Sequence, residues 1–463
     1  MFRDPEVDLS IMGIKPPIER EGSVRQSPEV RPHSGGRLSS AAPGLEHPTA
    51  VVMNMFYTGL GIARSLAAHN VSVIGLSAKR ITYGNFTRCA KVRQAPDSRS
   101  QPESLLRYLV ALGKELGHRS VIFPTRDDDL VFLNRYRSEL EPHYRLAIPS
   151  NEALSACLNK WETFRWAQRA GVSSPRCWRI ETPKDLKDIL ASGITFPCVL
   201  KPLSAHHWRQ GQNWEHVGSR KAVCVTSADQ LRNEYEFIAR VERRALLQEA
   251  VPGGDDQLFV AACYLDAESK PVASFTAQKV IQMPEGFGTG CIVQGTERPE
   301  IVADALRLLR AMRFTGIAEV EFKWDSNRNQ HLLIEVNPRP WDQHRLGHAC
   351  GIDLIHLSYC YAAGLPSPVL RKTFSRHKWI AEDVFLLALI RSFWNRDGKM
   401  LKLCKSARGR RIYGIWHPSD PIPAVVGFVL AVGSLAAGVW KRMTSFSGRR
   451  SQRERVLRET HAQ

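Results

Sequence analysis

Two strand-like segments, residues 317–325 (IAEVEFKWD) and 331–340 (HLLIEVNPRP), lie either side of the short link SNRNQ and constrain this chain more than any other feature. Side chains two apart on a strand share a face, so Glu335 and Asn337 point together. If the link closes a hairpin, Glu321 is brought beside them. Three hard oxygen donors at the end of a hairpin suit magnesium, which completes its octahedron with water and phosphate oxygens. The same acids read equally as solvent-facing members of a two-stranded ribbon. Against that stands the ending N-P-R, in which Pro338 fixes the turn while Asn337 and Arg339 add a neutral oxygen and a fixed cation.

The chain has 463 residues, which is long enough for two to four domains, and its 43% hydrophobic and 24% charged composition is that of a globular protein. Its net charge of +18 is concentrated towards the C-terminus. Residues 391–411 hold eight Lys and Arg against one acid, and residues 441–463 hold seven against two. Ten Cys occur without a C-x-x-C pair, several of them in apolar runs (Cys198, Cys263), which predicts reduced, buried thiols and no structural zinc. The N-terminus lacks the basic stretch and apolar core of an export signal, so a cytoplasmic location is expected.

Residues 1–48 mix Pro, Gly, Ser and charge without period and are expected to form a flexible extension. From residue 49 to 148 an apolar strand, Gly59 and Gly61, a helix (IARSLAA) and a second strand (VSVIGL) open a small α/β domain. The glycine pair lacks the third glycine and the closing acid of a dinucleotide fingerprint and reads as a tight turn. Residues 149–365 alternate as an α+β unit: a helix over 151–171, strands FPCVLKP, KAVCVT and ALLQEAV, a hairpin pair LFVAACYLD and PVASFTAQKVI, then the helix IVADALRLLRAM leading into the acidic strands. Residues 366–463 form a basic, partly apolar and mainly helical C-terminal region.

Lysines make a second group. Lys201 closes an apolar strand, Lys221 opens the next, and Lys160 lies in the helix before them; together they could offset the charge of a nucleotide's phosphates. A P-loop motif is absent.

Taken in order, Lys160, Lys201-Pro202, Lys221-Ala222, LLQEAVPGGDD, QKVIQMPEGFGTG and FTGIAEVEFKWD…HLLIEVNPRPW…GIDL make the chain resemble the ATP-grasp superfamily, in particular its D-aspartate ligase and carboxylate-amine ligase branch. The resemblance runs from about residue 50 to 365. It implies a pre-ATP-grasp α/β domain followed by the ATP-grasp fold, and an enzyme that uses ATP with Mg2+, as two ions for which Mn2+ can substitute. Lys160, Lys201 and Lys221 would then contact nucleotide, Gln248, Glu249, Ala250 and Val251 would line the adenine, and Asp256 would meet the ribose. Glu321, Glu335 and Asn337 would be the metal ligands. Lys279 and Arg339 would steady the transferred phosphoryl group. The implied reaction activates a small carboxylic acid or amino acid as an acyl phosphate and passes it to an amine, the enzyme acting alone or as a dimer. The loop 204–219, with His206, His207, Trp208 and Trp214 and few glycines, is the expected lid, and Asp342-Gln343-His344 are candidates for the acceptor pocket.

Two other classes remain open at this point. A nucleotide sensor would keep the ATP contacts without turnover. A nucleic-acid binder would use the basic C-terminal region, although no zinc, helix-turn-helix or aromatic RNA-binding signature accompanies it. The apolar segment 422–440, flanked by basic residues, reads as a packed helix, as a peripheral attachment to an anionic membrane, or as a span.

Overall fold

The computed structural model describes residues 47–433, apart from 205–207, 209–212, 219 and 397 and the side chain of Trp214. The N-terminal extension up to residue 46 and residues 434–440 of the segment 422–440 therefore lie outside the described residues.

The first sheet is built from β1 (Ala50–Met53), β2 (Val73–Ser77), β3 (Lys91–Gln94), β4 (Ser120–Phe123) and β5 (Tyr144–Leu146), in the order β3-β2-β1-β4-β5. All its pairings are parallel. Every residue of β1, β2 and β4 is buried, as expected of strands covered on both faces. The first helix starts at Tyr57 and includes both glycines rather than following them. Their small size serves close packing: a Cβ on Gly59 would sit 1.8 Å from the Asn54 carbonyl oxygen, and one on Gly61 would sit 2.6 Å from His344 Nε2. The tight turn expected at the glycine pair is therefore replaced by helix, with both glycines at close contacts.

The sequence over 151–171 forms two helices, Asn151–Leu158 and Lys160–Arg169. Asn159 is extended between them, and its side chain accepts from the backbone amides of Trp161 and Glu162, capping the second helix and placing Lys160 at its first position. The second sheet follows: β6 (Cys177–Ile180), β7 (Cys198–Pro202), β8 (Val223–Val225) and β9 (Ala245–Glu249), antiparallel in the order β6-β9-β7-β8. The helices Pro183–Ala191 and Ala228–Ala239 bury Leu186, Ile189, Leu231 and Ile238 against it. The first of these helices begins with a capping box between Thr182 and Asp185.

The third sheet has seven strands: β10 (Leu258–Leu265), β11 (Pro271–Met283), β12 (Thr289–Thr296), β13 (Gly316–Asp325), β14 (Gln330–Asn337), β15 (Lys378–Ile380) and β16 (Arg411–Tyr413), in the order β14-β13-β10-β11-β12-β15-β16. The interior strand β10 is buried along its whole length. One face carries the helix Pro299–Ala311 through Ile301, Ala305, Leu308 and Leu309; the other shares a core with β1, the first helix and the helix Leu354–Ala363. The C-terminal region contributes β15 and β16 as well as helices, so its strands extend this sheet beyond residue 365. Its loop is also anchored by a buried ion pair, Arg64 Nε to Asp420 Oδ2 at 2.9 Å.

Among the described residues no helix is long and apolar enough to cross a membrane. All ten cysteines are free, and Cys198 and Cys263 are buried as the apolar runs suggested.

Candidate functional site

SNRNQ closes a hairpin between β13 and β14, and its register sets the chemistry: Glu321 lies opposite Glu335, and Glu319 opposite Asn337. Since 319 and 321 share one face of β13 while 335 and 337 share the facing side of β14, four oxygen-bearing side chains meet on one surface. Asn337 Nδ2 donates to Glu319 Oε2 at 3.0 Å and to Glu335 Oε1 at 3.3 Å. Its own Oδ1 is therefore turned away from both. Glu319 was not anticipated from the sequence, although E-x-E in AEVEF signals it: a second acid two residues earlier must face the same way.

Three cations close around these acids. Lys160 Nζ lies 2.8 Å from Glu335 Oε2, and this charge, against the opposing effect of burial, holds the Glu335 carboxyl well below the usual range. Lys279, from β11, forms an ion pair with Glu321. Burial works against the Lys279 ammonium, but Glu321 and Glu319 outweigh it and raise its pKa above the ordinary lysine value. Lys201, at the end of β7, lies over the Phe164 ring at 5.4 Å and has no carboxylate ion pair among the described residues. Burial and the neighbouring Lys160 push it down to about 8. For Glu319 burial dominates, Lys279 opposing and Glu321 and Glu335 reinforcing, and its carboxyl rises to about 7.

These groups line a cavity of ≈ 560 Å³ between the second and third sheets, of the size that encloses a nucleotide-sized ligand. Twelve of the thirteen site residues expected from the sequence line it: the four lysines, Gln248 to Val251, Glu321, Glu335, Asn337 and Arg339. Lys221 sits at the rim, its Nζ 3.2 Å from Thr289 Oγ1. Glu249 adds backbone rather than a free charge, because its carboxylate is held by Arg328 at 2.6 Å and Arg176 at 3.4 Å. The exception is Asp256, which is absent from the cavity wall; its carbonyl accepts from Gln278 Nε2 at 2.7 Å. The neighbouring Asp255 instead binds the Gln282 and Gly286 amides and so fixes the loop 284–288 at the cavity mouth.

The start of the helix after β4, Asp127–Arg135 with its cap Arg126, also lines the cavity. Arg339 Nε donates to Asp127 Oδ1 at 2.6 Å; burial acts against its charge, yet the carboxylate raises its pKa. Asp342 and Gln343 also reach the cavity, Asp342 accepting from Thr58 Oγ1 at 2.7 Å. His344 does not: it is buried with Nε2 3.2 Å from the Thr58 carbonyl oxygen. Of the expected lid, Ser204 and the buried Trp208 line the cavity, whereas His206 and His207 and the Trp214 side chain lie outside the described residues.

A family model described as "Carbamoyl-phosphate synthase L chain, ATP binding domain" matches residues 278–369, the stretch from β11 through the acidic hairpin to the helix Leu354–Ala363. Biotin carboxylase from Campylobacter jejuni superposes with a TM-score of 0.56 at 17% identity, over 71% of this chain and 74% of that one. The chain has the ATP-grasp fold. An L-amino acid ligase from Bacillus licheniformis shares this ATP-grasp architecture, with a TM-score of 0.53 at 15% identity over 69% of this chain and 75% of the other. Among curated proteins, a D-aspartate ligase from Enterococcus faecium is 17% identical over 298 residues, 60% of this chain and 68% of that protein. The matched stretch 278–369 carries Lys279, Glu319, Glu321, Glu335, Asn337 and Arg339, so the acidic floor of the cavity falls within it.

The donor set fits magnesium in one specific way. Among the described residues no three His, Cys, Asp or Glu side chains form a ready-made ion cage. Magnesium commonly takes one or two carboxylates and completes its shell with phosphate oxygens and water. Glu321, Glu335 and, with its amide turned over, Asn337 Oδ1 would supply that partial set, and added positive charge would relieve the repulsion that Glu321 and Glu335 add to burial in raising Glu319.

Proposed function

We propose that this protein is an ATP-dependent ligase that joins a carboxylic acid to an amine through an acyl phosphate. The observation that carries the reading is the register of β13 on β14, which sets Glu321 against Glu335 beside Asn337 on the wall of a cavity otherwise ringed by Lys160, Lys201, Lys279 and Arg339. Opposite charges held in one partly enclosed volume suit a polyanion carried with its counter-ions.

In this reading Lys160 and Lys201 hold the phosphates of ATP, and Gln248 to Val251 form the wall for its base. Magnesium, when bound by Glu321, Glu335 and Asn337, would supply Lewis-acid polarisation of phosphate oxygens. A substrate carboxylate oxygen attacks the γ-phosphorus and ADP leaves. Lys279 and Arg339 oppose the charge that builds on the moving phosphoryl group, and Asp127 keeps Arg339 aimed. The amine nitrogen then attacks the acyl carbon, phosphate departs with the C–O electron pair, and the nitrogen loses a proton to complete the amide. A lid supplied by the segment 204–219 would keep water from intercepting the acyl phosphate.

ADP release is measured across a panel pairing amino acids, other small acids and bicarbonate with amines, and products are identified by mass. The expected result is ADP formation that requires both an acid and an amine and yields their condensed product. Acid-independent ADP formation, or none with any pair, would reject a ligase.

A further inference from the structure

The helix Glu382–Asn395 is apolar on two sides. Phe385, Ala388 and Leu389 pack on Ile281, Cys291 and Ile292 of the third sheet. Leu386, Leu387, Phe393 and Trp394 instead face water, and their seven-residue spacing (386 with 393, 387 with 394) stacks them along one side of the helix. Phe393 is 67% exposed and Trp394 75%. The following helix, Lys399–Ser406, buries Leu403 and turns Met400 and Leu401 outward. Arg391, Arg396, Lys402 and Lys405 are exposed among them, within a stretch that has eight basic residues and one acid.

We propose that these two helices dock the protein peripherally on an anionic lipid bilayer. Exposed aromatic and aliphatic side chains ringed by Lys and Arg match an interface whose outer layer is negatively charged and whose interior is hydrocarbon. The helices have 14 and 8 residues, too short to span, so they lie on the surface. Charge excludes two other occupants. Residues 441–463 carry seven basic residues against two acids, and a second copy would bring this same basic face, so either would be repelled. A nucleic acid would satisfy the charges but leave Leu386, Leu387, Met400 and Leu401 in water. The surface also adjoins the cavity: Lys399 Nζ lies 2.8 Å from Glu285 Oε2, in the loop whose Gly286, Phe287 and Gly288 line the cavity. Docking therefore brings the cavity mouth to the membrane, whatever the reaction within.

The test is co-sedimentation of the full-length protein with phosphatidylcholine vesicles, with and without phosphatidylglycerol, beside two surface variants: Phe393→Ser/Trp394→Ser/Leu401→Ser and Lys402→Glu/Lys405→Glu. The wild type should bind only the anionic vesicles, less tightly as salt rises, and both variants should bind at least about tenfold more weakly with unchanged thermal unfolding. Trp394 fluorescence should be quenched by brominated phospholipids, the change being lost in Trp394→Phe. Failure of the wild type to bind anionic vesicles would overturn the proposal, as would variants that bind like wild type. It would also be overturned if the variants lost affinity for a single-stranded oligonucleotide while vesicle binding stayed intact.

Discussion

Lys201 is held in an apolar strand with Lys160 as a neighbouring like charge, and its pKa is pushed down from 10.5 to about 8. The depression means that the unfolded chain binds this proton more tightly than the folded one, so the charged form opposes folding below pH of about 8 and the opposition fades as pH rises towards 10.5. Lys201→Met should therefore raise stability at neutral pH by an amount on the order of 3 kcal/mol before repacking, while abolishing nucleotide binding. Chemical denaturation and titration with ATP check the two effects. In the wild type, ATP affinity should be level below pH of about 8 and fall above it as the free lysine loses its proton. Glu335→Gln should stay folded yet lose turnover by about a hundredfold or more, since it removes charge where phosphoryl transfer needs it. Most of this residue-level picture was legible from strand period and from the ordered motifs. Glu319 is signalled only by the E-x-E spacing of β13, and the pair Asp255-Asp256 gives no hint that one carboxylate is taken up by the amides of Gln282 and Gly286.

At the scale of elements, the junction at Asn159 decides where Lys160 points. Helical composition runs unbroken through residues 151–171, so the sequence shows one helix; the break arises because the Asn159 side chain offers the following amides a better partner than continued helix would. Asn159→Ala should cost about 1 kcal/mol in stability and, by freeing Lys160 from its place beside Glu335, raise the KM for ATP more than it lowers kcat. Gly59 was legible as a constraint but not as a contact. A methyl group there collides with the Asn54 carbonyl, and Gly59→Ala should destabilise by about 1–3 kcal/mol, read from denaturant unfolding. β6 and β12 went unread, whereas β7 to β11, β13 and β14 were legible because alternation and turn residues bound them. The short β15 and β16 were not, since three-residue strands carry no period and are defined only by the sheet edge they join.

Across the whole molecule, the cavity lies between the second and third sheets with the segment after β4 at its edge, and contacts between segments far apart in sequence hold its walls. The C-terminal loop is fastened to the first helix by the buried Arg64–Asp420 pair, whose Asp420 carboxylate also accepts from Thr87 and the Arg88 amide. Asp420→Ala leaves a buried guanidinium unpaired and should destabilise by about 3–5 kcal/mol, measurable by urea unfolding. The wall's chemistry also ties metal to nucleotide: magnesium should bind weakly to the free protein and far more tightly once ATP phosphates complete its shell, as calorimetric titration with and without ATP would show. The most direct test of the ligase account follows oxygen. With the acid identified and its carboxylate labelled with oxygen-18, an acyl phosphate intermediate transfers one labelled oxygen to the released inorganic phosphate in each turnover. Labelled phosphate formed together with the amide is the predicted result; amide formed with wholly unlabelled phosphate would contradict it.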